Sequence, residues 1–166
     1  QSSMVNPIDP QELAEFLSNA NKETYANKKA EKAPSARLES RDYHFEDENL
    51  IYHDTYFGGR QFIGEEVVYK DKKPVWGANY YGYVMSPDFH EDDVGNFLRD
   101  ALSAEYDDII PVRGPKEFKK GNWKYINEAD GQLDRFRGKE EIFSNDELVY
   151  RAWYHGGFIQ SEADVV

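Results

Sequence analysis

The 166 residues carry a formal net charge of −12 and no cysteine. A disulfide framework and any thiolate site are thereby excluded, and the acidic balance argues against direct nucleic-acid binding. No apolar run approaches the ~20 residues of a membrane span, and no charged-then-apolar leader follows Met4, so a cytoplasmic protein with no membrane partner is expected.

Gln1-Ser2-Ser3 reads as an expression remnant. The remaining length suits a single domain with one core. Asp9-Pro10-Gln11-Glu12 has the form of a helix start: a cap, a proline at the first helical position and a glutamate completing a capping box. Leu13, Phe16, Leu17 and Ala20 follow at helical spacing, and the helix is expected to end between Ala20 and Asn27. Residues 22–41 are basic and polar, contain Ala33-Pro34-Ser35, and read as a loop.

From Tyr43 the period becomes two. One strand is expected from Tyr43 through Tyr56, closed by Gly58-Gly59. A second runs from Phe62 to Tyr69 and ends at Asp71-Lys72-Lys73-Pro74, and a third runs from Val75 to Val84. Val94, Phe97, Leu98, Ala101 and Leu102 predict a second helix from about His90 to Glu105. Gly95 inside it costs about 1 kcal/mol relative to alanine. Residues 107–116 read as a loop. Three further strands are expected: Trp123 to Asn127, with a turn near Asp130-Gly131; Arg135 to Phe143, with a turn at Ser144-Asn145-Asp146; and Leu148 to Ile159.

The two strand sets repeat each other. Shifted by 74 positions, Phe62, Gly64, Glu66, Val75, Ala78, Tyr80 and Gly82 fall on Phe136, Gly138, Glu140, Val149, Ala152, Tyr154 and Gly156. Shifted by 73, Phe45, Asn49, Tyr52 and Gly58 fall on Phe118, Asn122, Tyr125 and Gly131. The expected fold is α+β, an internally duplicated helix-plus-three-strand-meander unit. Its halves cover about residues 45–84 and 118–158, joined by the helix at about 90–105. An antiparallel sheet with a pseudo-twofold axis follows, as one curved sheet or two facing ones.

Tyr-Phe-Gly-Gly (56–59), Phe-x-Gly-Glu-Glu-Val-Val (62–68), Trp-x-x-Asn-Tyr-Tyr-Gly (76–82), Arg-Gly-Pro (113–115), Phe-x-Gly-x-Glu-x-Ile (136–142) and Tyr-His-Gly-Gly (154–157) form a distinctive set. From about Leu13 to Ile159 the chain resembles an uncharacterised bacterial domain-of-unknown-function family. The resemblance implies a module that stands alone or follows an Xre-type helix-turn-helix region. It implies neither an activity nor catalytic residues. Before Tyr43 one helix is expected, not a complete DNA-binding domain.

Glu66 and Glu140 are carboxylates on otherwise apolar strand faces, present in both halves. Each needs hydrogen bonds or a raised pKa. A neighbouring tyrosine hydroxyl or backbone amide would satisfy each as a structural group. The functional alternative is a pair of carboxylates facing one cavity, suited to a cationic ligand or to acid–base work. Trp76 and Tyr80, and Tyr150 and Tyr154, alternate with small residues on one face each. That pattern fits either helix docking or an aromatic pocket wall. His155 stands where the first half has Tyr81, and is a structural residue or a further site residue. His44, His53 and His90 show no metal-ligand spacing with one another, and His90-Glu91-Asp92-Asp93 reads as an acidic first helical turn. No phosphate-cradling loop or nucleophile elbow is present, so neither a metal nor a cofactor is expected. The favoured function is a small-molecule binding or sensing module with an aromatic, acidic pocket for a cationic ligand. The alternatives are an enzyme using a buried glutamate as general acid or base with a tyrosine or His155, and a structural or protein-interaction domain.

Overall fold

A computed structural model of the chain describes residues 5–104 and 113–164. The expected start at Met4, the helix end at Glu105 and most of the 107–116 loop lie outside them. The elements are α1 (Pro10–Glu23), β1 (Arg41–Asp47), β2 (Leu50–Gly58), β3 (Gln61–Lys70), β4 (Lys73–Val84), α2 (Glu91–Leu102), β5 (Glu117–Lys120), β6 (Trp123–Gln132), β7 (Arg135–Ser144) and β8 (Glu147–Phe158), followed by a short 3-10 turn (Glu162–Asp164). The strands form one antiparallel sheet in the order β1-β2-β3-β4-β8-β7-β6-β5. Two runs of four consecutive strands therefore meet at β4 and β8, and the fold is α+β. None of the described helices is long and apolar enough to cross a membrane.

The expectation of six strands in three-strand meanders is corrected to eight strands in runs of four. The stretch read as one strand from Tyr43 to Tyr56 reverses at Glu48-Asn49, between the paired Asp47 and Leu50. Glu48 takes a positive φ of 53° there. Neither turn residue is glycine or proline, which is why the alternation reads through them. In the second half Gly121, at φ 61°, turns β5 into β6. The turn expected near Asp130-Gly131 also moves. β6 runs through Gly131, at φ 94°, to Gln132, and the reversal falls at Leu133-Asp134.

α1 starts as expected but without its capping box. Asp9 makes no side-chain cap bond, and Glu12 instead pairs with Lys70 of β3 at 3.1 Å. At α2, Nδ1 of His90 accepts from the Asp92 N–H at 3.1 Å, and the acidic first turn suits the helix dipole.

Strand alternation sends one face inward. Leu13, Phe16, Leu17 and Ala20 of α1 pack on Leu50, Tyr52, Val68 and Trp76. Val94, Phe97, Leu98 and Ala101 of α2 pack on Tyr125, Ile142, Val149 and Tyr150. Each fully buried leucine or phenylalanine contributes roughly 1.5–3 kcal/mol. Both helices cover the same face, because Trp76, Tyr80 and Val84 share parity along β4 and touch one cluster or the other. On the opposite face Ile63, Tyr81 and Trp153 are exposed.

Inner-face registers place the polar residues. One row runs Asp54, Glu66, Ala78, Gly156, Phe136 across β2, β3, β4, β8 and β7. Another runs Asn127, Glu140, Ala152, Gly82, Phe62 across β6, β7, β8, β4 and β3. Tyr80 and Tyr154 face each other at the β4–β8 seam, with Gly64 and Gly138 outside them.

Candidate functional site

A cavity of about 390 Å³ opens between the two helices and the inner sheet face. Tyr52, Asp54, Tyr56, Phe62, Glu66, Tyr80 and Tyr150 supply its sheet wall. Asn21 and Tyr25, at and just past the end of α1, close one side. Glu91, Val94, Gly95, Leu98 and Arg99 of α2 close another, and Arg41 and Arg113 add two cations.

Two glycines give the polar floor its shape. Any Cβ at Gly64 would collide with the ring and hydroxyl of Tyr80. With glycine there, the Tyr80 ring crosses β3 and its hydroxyl donates to Asp54 Oδ1 on β2 at 2.6 Å. Gly138 lets Tyr154 do the same across β7, where its hydroxyl donates to Asn127 Oδ1 at 2.5 Å.

The two glutamates differ in their surroundings. Glu140 is fully buried and amply partnered. Arg113 Nη2 lies 2.8 Å from its Oε1, and the hydroxyls of Tyr125 and Tyr150 donate to it at 2.5 Å and 3.3 Å. The Arg113-Gly114-Pro115 segment is pinned there. The Gly114 N–H donates to the Tyr125 hydroxyl at 3.0 Å, and its carbonyl accepts from Asn127 Nδ2 at 2.9 Å. The Arg113 guanidinium also lies over the Tyr80 ring, 5.4 Å from its centre.

Glu66 of β3 is also buried, 4% exposed. Tyr52 hydrogen-bonds its carboxyl, but Oε2 has no hydrogen-bond partner among the described residues. Its direct neighbour across the strand pair is Asp54. Burial pushes Asp54 up to about 7, against the Tyr80 hydrogen bond and the charge of Arg113. Burial, reinforced by the charge of Asp54, pushes Glu66 up to about 8, with Arg113 again opposing. Two adjacent buried carboxyls cannot both be ionised cheaply, so the pair retains a proton near neutral pH. Burial also raises the phenols of Tyr52 and Tyr80 well above their ordinary value, so both stay protonated donors.

Of the residues singled out in the sequence, Glu66, Tyr80 and Tyr150 line the cavity. Glu140 lies buried beside it in its ion pair. Trp76 sits in the core, where Nε1 donates to the Leu133 carbonyl at 3.0 Å and the ring stacks on Phe136. Tyr154 is buried and tied to Asn127. His155 is exposed on the opposite face, beside Asn79 and Arg137, so it does not join the others. Sequence reasoning missed Asp54 and Arg113. Asp54 was within reach, because it shares inward parity with Tyr52 and Tyr56 and its counterpart 73 positions on is Asn127.

No curated protein and no solved structure matches the chain. Residues 54–159 match the domain of unknown function DUF5680, a segment that opens on Asp54 and takes in both glutamates. With well over half of its residues inside that match, the chain belongs to the DUF5680 family.

Proposed function

We propose that the cavity binds a small molecule that presents an amine or other cationic donor to Asp54 and Glu66, with Tyr52, Tyr80, Tyr150 and Phe62 packing around it. The observation that carries this reading is the Glu66 Oε2 atom, buried on the cavity wall with no partner among the described residues. A buried acceptor without a donor costs about 1–3 kcal/mol, and a ligand ammonium would recover that. The aromatic faces suit the same cation. Resemblance to domains that follow Xre-type regulators favours sensing over storage.

The two halves are, in this reading, copies of one ancestral unit. The repeat supports it, as do matched backbone features. Glu48 and Gly121, Gly58 and Gly131, Asp71 and Asn145, and Lys72 and Asp146 all take positive φ, at 53 and 61°, 92 and 94°, 51 and 48°, and 68 and 63°. Register shifts follow Val68 in one half and Ile142 in the other. The second copy has an arginine on its glutamate and asparagine for aspartate, and is the structural one. The first copy keeps both carboxyls open to the cavity.

A thermal-shift screen with benzylamine, tyramine and benzamidine tests the proposal. One or more should raise Tm in the native protein and lose that effect in Glu66→Gln. A shift that survives Glu66→Gln would overturn it, as would no shift from any of the three at millimolar concentration.

A second reading has its own support in the raised pKa values of Asp54 and Glu66. A carboxyl that titrates near neutrality serves as general acid or base, and the pair would then transfer a proton to a bound substrate.

A further inference from the structure

Strand pairing brings together two histidines that are nine positions apart in sequence. His44 on β1 and His53 on β2 are direct partners in register. Their Nδ1 atoms approach to 2.9 Å, with the rings at 66°. Each ring is held from behind by a carboxylate. His53 Nε2 lies 2.6 Å from Asp42 Oδ2, and His44 Nε2 lies 2.8 Å from Glu46 Oε1.

The Asp42 end is built rather than incidental. Asp42 is fully buried. It accepts from the Ser40 hydroxyl at 2.6 Å, the Thr55 hydroxyl at 2.7 Å and the Ala36 N–H at 3.2 Å. The Asp42 carboxyl oxygens accept from these groups, and the 2.6 Å contact places the proton of His53 on Nε2, facing Oδ2. Glu46 favours the same tautomer in His44. With each Nε2 turned to its carboxylate, each ring presents Nδ1 to the other. Two such nitrogens are joined either by a shared proton or by a bound metal ion.

We propose that His44 and His53 form a two-nitrogen site for a divalent transition-metal ion on the outer face of the sheet. Metal-bound histidines commonly donate their second nitrogen to a carboxylate, which fixes the tautomer and raises ligand basicity, and both rings here have one. Two nitrogens 2.9 Å apart subtend about 90° at an ion about 2.1 Å from each. That angle suits the tetragonal preference of Cu²⁺ or Ni²⁺. No group of three or more His, Cys, Asp or Glu side chains that could hold a metal ion occurs among the described residues, so water or an outside ligand completes the shell. An open groove lined by Ile51, Glu65, Val67 and Tyr69 leaves room for it. The site lies on the face opposite the cavity and does not depend on the function proposed for that cavity.

The test is titration of the chelator-treated full chain with Cu²⁺ and Ni²⁺, followed by calorimetry and by copper electron paramagnetic resonance. The expected result is one ion per chain with nitrogen coupling from two imidazoles. Affinity should fall at least about tenfold in His44→Ala and in His53→Ala, and by a similar factor in Asp42→Asn, which would misorient His53. The paired change His90→Ala with His155→Ala should leave binding intact. Circular dichroism of each variant checks the fold, and the half-exposed His44 is the substitution least able to disturb it. Native binding no tighter than that of folded His44→Ala, or a copper signal unchanged in that variant, would overturn the proposal and leave the pair joined by a proton alone.

Discussion

The hydroxyl of Tyr80 reaches across β3 to donate to Asp54 on β2 at 2.6 Å, and it does so over the bare backbone of Gly64. A side chain at 64 and a ring at 80 cannot occupy the same volume. Gly64→Ala should therefore destabilise the protein by roughly 1–3 kcal/mol, through overpacking and a lost charge-assisted hydrogen bond. Gly138→Ala should cost a similar amount through Tyr154 and Asn127. Urea denaturation of the two variants measures both. A cost below about 0.5 kcal/mol at Gly64 would mean the ring finds another path.

The acid pair sets a pH dependence whose sign follows from its raised values. Unfolded, Asp54 and Glu66 release their protons near 3.8 and 4.5, whereas folded they hold them to about 7 and 8. The folded state therefore binds more protons between these limits. The contribution is fully present below about pH 4 and is lost as pH rises through 7 and 8. Tm should fall by at least about 5 °C between pH 5 and 8. General repulsion at a net charge of −12 adds to that fall, so the comparison that isolates the pair is with the double variant Asp54→Asn, Glu66→Gln. Its profile should be flatter, and a profile parallel to the native one would refute the assignment.

Asp42 works in a separate window and with the opposite sign. Its folded pKa is lowered to about 2, so its contribution is present above about pH 4 and disappears as pH falls toward 2. Acid unfolding of Asp42→Asn, compared with the native chain, should show a smaller loss of stability below pH 4.

Removing Arg113 strands Glu140. Arg113→Met should cost about 3–5 kcal/mol, because the carboxylate keeps its tyrosines but loses its countercharge in a buried site. Adding Glu140→Gln should recover most of that loss. A double-mutant cycle by chemical denaturation reads the coupling. A coupling near zero would show that Arg113 acts by packing on Tyr80 alone.

Gly95 faces the cavity from α2, and a Cβ there would meet no atom within 4 Å. Gly95→Ala should stabilise the helix by up to about 1 kcal/mol while narrowing the cavity. Raised Tm together with a reduced amine-induced shift is the expected pair of results.

How much the sequence disclosed follows the physics of each element. Helix periods in α1 and α2 were legible because Leu13, Phe16, Leu17 and Val94, Phe97, Leu98 repeat at the spacing of a buried stripe. Strand alternation was equally plain, down to the inward parity of Glu66 and Glu140. The reversal at Glu48-Asn49 was not, because turn geometry there is carried by a left-handed glutamate that composition does not mark. The carboxyl pair was half seen. The residues that recur at an offset of 74 in the sequence point to Glu66, whereas its partner Asp54 is legible only as a difference from Asn127. Arg113 lies in a loop whose distance from Glu140 no periodicity encodes. The histidine pair was invisible to spacing rules, since the register of β1 on β2, not separation along the chain, brings the rings together.

The seam between β4 and β8 has a kinetic consequence. Every other strand neighbour in the sheet is a sequential hairpin, which closes a short loop quickly. Joining Lys73–Val84 to Glu147–Phe158 must enclose α2 and the whole second run of strands, so its entropy cost is met before any of its nine registered pairs is formed. Two separately nucleated meanders that dock late are the folding order this topology favours. Substitutions along Tyr80 and Tyr154 should then speed unfolding with little effect on the early hairpins, whereas those at the Asp71-Lys72 and Asn145-Asp146 turns should slow refolding.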